Sequence, residues 1–252
     1  MDSQTAKYNG HVPEREKMQA LGRLSAKISH DLNNILGAIE GYATLIMNSS
    51  GADSPFAPDL LEIRASVAKA AGILRKLAVF GGRQILNRKL CPVNTVIEAA
   101  CKREELSRAG KFRIETRLSP GLPDIMVDEA KLDEALVNLL VNACEAMSGV
   151  GMAVVSSALA RRGGGAGSPA AHRDEDLTFV KISVRDRGAG ISADVLDHLF
   201  EPMFSRPEKG AGAGMGLAVV YAVAAQHNGW VEVKSGSGRG SEFSLFLPIS
   251  PL

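Results

Sequence analysis

The sequence has almost no surplus of charge of either sign: 29 Lys and Arg stand against 28 Asp and Glu, a formal net charge of +1. That balance removes the usual sign of bulk attraction to nucleic acid or to an anionic membrane surface. No apolar run reaches the about 18 residues needed to cross a bilayer. The opening stretch, MDSQTAKYNGHVPEREK, holds no apolar signal core. A soluble, cytoplasmic chain with no membrane segment and no nucleic-acid partner is expected. Cysteine is scarce: Cys91, Cys101 and Cys144 are odd in number and lack the paired spacing of a metal site. Reduced core or surface thiols are expected. The G-x-x-x-x-G-K-[ST] phosphate loop of the common NTPases is missing as well.

What is present suffices for a sizeable core, since 45% of the 252 residues are hydrophobic. Residues 14–86 read as wholly helical. Met18, Leu21, Leu24, Ile28, Leu32, Ile35, Ile39, Tyr42 and Ile46 recur in steps of three and four, one stripe of a long helix. The turn NSSGADSPFAPD follows, with Asp53 or Ser54 as the cap of the next helix. Leu60, Ile63, Val67, Ala70, Leu74 and Leu77 make a second stripe, stopped at Gly81 and Gly82. Two helices with one apolar face each cannot close a core alone. A pair of such hairpins can, as a four-helix bundle, so a homodimer through this segment is expected. The alternative is packing of the hairpin against the rest of its own chain.

Residues 90–250 mix types. Helical patterns at 94–108, 129–147 and 215–228 alternate with strand patterns at 112–118, 152–159, 178–185, 230–234 and 242–247. The fold class expected is α+β: a helical hairpin forming a dimeric four-helix bundle, then a two-layer α/β sandwich with helices on one face. The glycine-rich stretch 161–176 is expected to be a flexible loop without chemistry.

Two constellations carry chemistry. On the first helix, His30 falls off the apolar stripe, two residues from both Ile28 and Leu32. Asp31 follows it, and Asn34 lies one helical turn on, on the same face. An imidazole nucleophile needs one neutral nitrogen and an acceptor for its proton; a neighbouring carboxylate can be that acceptor. In the second half, Glu134, Asn138, Asn142 and Glu145 form a polar stripe opposite Leu132, Leu136, Leu139 and Ala143. Asn is a poor helix former beside Lys or Glu, so two of them one turn apart suggest that amides are wanted. Amide oxygens are hard ligands suited to Mg2+. Then VRDRGAGI places Asp186, Gly188 and Gly190 after a strand. KGAGAGMGLAVV leads glycines straight into a helix, whose free N–H groups suit phosphates; a mobile lid is a compatible reading.

KISHDLNNILGAIEGYATLI resembles the phosphoacceptor box of sensor histidine kinases, especially the HD-x-N-N subtype. The amide helix, D-x-G-x-G, F-E-P-x-F and G-x-G-x-G, in that order, resemble the N, G1, F and G2 boxes of the same family. The resemblance runs from about residue 16 to 247. It implies that residues 14–86 are a dimerisation and histidine-phosphotransfer hairpin and residues 90–250 an ATP-binding catalytic domain. His30 would be the phosphorylated residue, Asp31 the general base, and Asn34 a support for dephosphorylating the partner. ATP would be held by Asn138, Asn142, Glu145, Asp186, Gly188, Gly190, Phe204, Gly212, Gly214, Gly216 and Leu217. Asn138 and Asn142 would be the Mg2+ ligands, and Asp186 would read adenine. The partner implied is a response-regulator receiver domain.

The family shares its ATP fold with gyrase and related hydrolases, which carry a Glu base where Asn138 stands; an amide cannot accept that proton. A phosphotransfer pseudokinase scaffold, or an ATPase on the same fold, is the alternative reading. Three positions depart from the family pattern: Met203 replaces an aromatic, Arg206 a common Lys and Ala213 a frequent Thr.

Overall fold

A computed structural model describes residues 7–8, 15–50, 54–78, 86–107, 110–161, 178–196, 199–200 and 215–249; the side chains of 7–8, 15–30, 50, 73, 75–78 and 194 lie outside that description. The chain divides into two compact units, Pro13–Gln84 and a second one formed by Met1–Val12 with Ile85–Leu252.

The first unit is a hairpin of α1 (Arg15–Ser50) and α2 (Ala57–Ala78). Ser54 closes the turn before α2: its carbonyl accepts from Ala57 N at 3.0 Å and its hydroxyl from Phe56 N at 3.3 Å. Asp53, the other expected cap, and Gly81 and Gly82 lie outside the described residues. The seam between the helices buries Ala43, Leu60, Val67 and Leu74. One seam cannot cover a stripe this wide, and Leu32, Ile35, Ile39, Ile46 and Ile63 stay exposed. Leu36, Ile39, Ile63, Val67 and Ala70 line an open groove along this flank.

In the second unit, six strands form one sheet in the order β1 (Lys7–Tyr8), β7 (Trp230–Ser235), β8 (Ser241–Pro248), β6 (Thr178–Arg185), β5 (Gly151–Arg161), β3 (Phe112–Leu118). All neighbours are antiparallel except β3 and β5, which are parallel and enclose the crossover through α4 (Glu129–Ala146). A small antiparallel pair, β2 (Lys89–Cys91) with β4 (Ile125–Val127), sits apart. β1, β2 and β4 were not expected, because two or three residues such as KLC and IMV are too short to display alternation.

Three helices cover one face of the sheet: α3 (Val93–Ser107), α4 and α6 (Gly216–Gln226). Alternation along the strands turns Val180, Ile182 and Val184 of β6 and Phe243, Leu245 and Leu247 of β8 into one core with Ile97, Leu132, Leu136, Leu139 and Val219 of the helices. α5 (Ala193–Leu196) is a single turn. The α+β class and the two-layer sandwich agree with expectation. All three cysteines are free and buried, and burial pushes the Cys101 thiol up to about 12. Of the loop expected at 161–176, residue 161 ends β5 and the remainder lies outside the described residues.

Candidate functional site

The site in the second unit is assembled where β6 runs out. Asp186 follows the last residue of that strand and is 2% exposed. Its Oδ1 accepts from Gly188 N at 2.8 Å and from Ser241 N at 3.2 Å, while its own N–H donates to Ser241 O at 2.9 Å. The carboxylate is thus gripped by its own turn and by the start of β8. Its Oδ2 accepts no hydrogen bond among the described residues. Burial pushes the Asp186 carboxyl above the usual carboxylate range, and the backbone N–H groups of Gly188, Ser241 and Asp186 itself oppose that shift only in part.

Glycine is required here for close packing of the protein on itself. A Cβ on Gly188 would collide with the carbonyl of Ala146 at the end of α4, to which Ala189 N donates at 3.2 Å. A Cβ on Gly240 (φ +76°) would strike the carbonyl of Asp186. The loop leans in addition on Ser235, whose Oγ accepts from Ile191 N at 2.9 Å and lies 3.0 Å from Gly240 O. Ser235, Gly240 and Ser241 were not among the expected site residues; the visible signal was the glycine-rich turn SGSGRGS just before the last strand.

α4 supplies the amides. Asp128 caps it, its Oδ1 accepting from Lys131 N at 3.2 Å. Leu132, Leu136, Leu139 and Ala143 are buried, so the opposite stripe looks outward. Glu134 pairs with Lys131 at 3.0 Å. Asn138 Nδ2 donates one of its two N–H groups to Glu134 O at 2.7 Å on its own helix, with Oδ1 on the other side of the amide. That oxygen faces the beginning of α6, where a Cβ added to Gly216 would lie 3.0 Å from it. Asn142, one turn on, is half-buried and Glu145 is exposed.

α6 starts at Gly216 with no side-chain cap from Met215, and its first N–H groups have no acceptor among the described residues. Leu217 is half-buried and packs against the core. The expected contributors Phe204, Gly212 and Gly214 lie outside the described residues, as do Met203, Arg206 and Ala213. Gly190 is buried in the Asp186 loop with φ +69°.

Asn138 presents one amide oxygen toward the start of α6, the kind of hard ligand a divalent cation takes. Among the described residues no group of three or more His, Cys, Asp or Glu is placed to hold a metal. In the first unit, the backbone of His30 lies in α1; its side chain lies outside the described residues. Asp31 and Asn34 are both exposed on that helix. Among the described residues no helix is long and apolar enough to cross a membrane.

Residues 127–251 match the family described as histidine kinase-, DNA gyrase B-, and HSP90-like ATPase, and that half of the chain is an ATP-binding domain of this class. Over nearly its full length the chain is similar to the sensor kinase CckA of Brucella abortus (strain 2308), 35% identical over 241 residues, covering 94% of this chain and 25% of that one. It is similar to the sensory histidine kinase/phosphatase NtrB of Rhodobacter capsulatus, 30% identical over 236 residues, covering 90% and 62% respectively. Full-length ShkA in complex with AMPPNP shares its fold, with a TM-score of 0.67 at 23% identity over 91% of this chain and 47% of that one. These likenesses support a histidine-kinase catalytic core, and the chain spans less than two thirds of the length of these relatives.

Proposed function

We propose that this chain is the working core of a sensor kinase in a two-component system: it transfers the γ-phosphoryl group of ATP to His30 and then to an aspartate on a response-regulator receiver domain. The observation that carries the reading is the setting of Asn138. Its Nδ2 donates one hydrogen bond to Glu134 O, which turns its oxygen toward the N-terminus of α6. An amide there positions a phosphate-bound cation and cannot deprotonate water, so the site favours transfer over hydrolysis.

In this reading Asp186 Oδ2 accepts from the adenine amino group, while Gly188 and Gly190 shape the loop beside the ring. The α6 N–H groups at Gly216 and Leu217 face phosphate oxygens. Asn138, Asn142 and Glu145 form the metal-side wall. Mg2+, held by Asn138 and Asn142, would neutralise phosphate charge. A nitrogen of His30 attacks the γ-phosphorus, the bond to the bridging oxygen breaks, ADP leaves, and the imidazole proton passes to Asp31.

The hairpin flank with exposed Leu32, Ile35, Ile39 and Ile63 suits a second copy, giving a homodimeric four-helix bundle. Asn34 supports removal of phosphate from the partner by orienting a water. A cytoplasmic setting goes with a receiver partner.

The test is incubation with labelled ATP and Mg2+. Wild type should acquire label that is lost in acid and kept in alkali, and His30→Ala should acquire none. Full labelling of His30→Ala would overturn the assignment.

A further inference from the structure

His227 ends α6 and is 3% exposed, yet neither the phosphoacceptor nor the nucleotide chemistry uses it. Both ring nitrogens are engaged. Nδ1 lies 2.8 Å from Val223 O, one turn back in α6, and Nε2 accepts from Asp128 N at 3.0 Å. The second bond fixes the tautomer: Nδ1 carries the proton and Nε2 is the acceptor. Burial pushes the imidazole pKa down, which keeps this neutral form.

Asp128 is the N-cap of α4, the helix that presents Asn138. The same corner is held from a second side, because Arg88 Nη2 donates to Gln226 O at 2.5 Å and Asn87 N donates to Asp128 Oδ2 at 2.9 Å. At the other end of α6, Gly216 abuts Asn138. α4 and α6 therefore run antiparallel with two points of registration, separated by about 15 Å at 1.5 Å per residue. One point is the candidate phosphate end, and the other is a polar clasp around His227.

We propose that His227 is a positioning residue for phosphoryl transfer: by tying the last turn of α6 to the N-cap of α4, it sets where Gly216 and the first N–H groups of α6 stand against Asn138. The inference rests on the nucleotide site proposed above. The seam between the two helices is otherwise apolar, built from side chains such as Leu132, Leu136, Val219 and Val223. Apolar contacts resist separation of helices better than they resist sliding, because neighbouring packings differ little in buried area. A directional bond of fixed length at the far end selects one register. Gly216 and Asn138 are close neighbours at the near end, since a Cβ on Gly216 would stand 3.0 Å from Asn138 Oδ1.

Calorimetric titration of the full chain with ATP and Mg2+, alongside thermal melts, tests this. His227→Asn keeps a donor for Val223 O but cannot reach Asp128; it should bind ATP about tenfold more weakly, the equivalent of one hydrogen bond. His227→Gln places an acceptor near the old Nε2 position and should restore affinity. Arg88→Met loosens the same clasp from outside the core and should weaken ATP binding in the same sense, which keeps the test open if His227→Asn does not fold. Val155→Ala, a buried β5 change away from the clasp, should lower the melting temperature and leave affinity intact. Folded His227→Asn with wild-type affinity, or Val155→Ala weakened as much as His227→Asn, would overturn the positioning role alone. A wild-type chain that bound no ATP would overturn the nucleotide site, and this role with it.

Discussion

Asp186→Asn separates the structural from the ligand-reading half of one side chain. In the wild type Oδ1 receives the N–H groups of Gly188 and Ser241, and an asparagine Oδ1 can receive both in the same place. The turn should survive. The other position changes from an acceptor oxygen to an NH2 donor. In the proposed complex that atom meets the adenine amino group, so one charge-assisted hydrogen bond, about 1.5–3 kcal/mol, is replaced by two donors facing each other, a further ~1–3 kcal/mol. ATP affinity should fall by roughly a hundredfold or more at about 1.4 kcal/mol per factor of ten.

Stability should move the other way. Burial raises the Asp186 carboxyl pKa above its ordinary 3.8, so the folded state binds this proton more readily than the unfolded state does. The resulting stabilisation is present at pH below 3.8 and is lost as pH rises through the raised folded value. At neutral pH the ionised side chain therefore costs the fold some stability, and a neutral amide removes that cost. Calorimetry with ATP and Mg2+ and a melting curve at neutral pH read the two effects together. An Asn variant that melts at or above the wild-type temperature and has lost ATP affinity is the expected pair of results. Unchanged affinity, or a collapse of the melting temperature, would refute the division of labour between Oδ1 and Oδ2.

Two further outcomes follow from the hairpin. Asn34→Ala should keep autophosphorylation and slow dephosphorylation of a phosphorylated receiver partner, as measured by loss of label from that partner; equal loss of both reactions would remove the proposed role. Ile39→Asp places a carboxylate on the exposed groove beside Ile63 and Val67. In a dimer seam an uncompensated charge costs about 3–5 kcal/mol, so sedimentation should show monomers at concentrations where the wild type is dimeric.

Much of the fold was legible because its signals are local. The α4 stripe could be read from spacing alone: a period of 3.6 sends Leu132, Leu136 and Leu139 to one side and Asn138 and Asn142 to the other, and the burial follows. The strand over Thr178–Arg185 was equally plain, since FVKISVR alternates. The short strands β2 and β4 were not legible, for their existence depends on each other across Leu90 and Met126 rather than on any pattern within either. Gly188 shows a subtler gap. The family resemblance assigns Gly188 to holding ATP, whereas the space its missing Cβ leaves is taken by the Ala146 carbonyl.

Periodicity, caps and glycine turns are properties of neighbours along the chain, so composition and order alone specified the helices, most strands, the polar stripe and the family to which they point. Contacts between distant residues answer to a different physics. In AAQHNGW, His227 has no local feature that links it to Asp128, 99 positions away. Its partner was settled by the antiparallel packing of α4 on α6. In the same way, which oxygen of Asp186 is left open was settled by where β8 begins. Long-range packing converts two unremarkable polar side chains, a buried imidazole and a gripped carboxylate, into candidates for function.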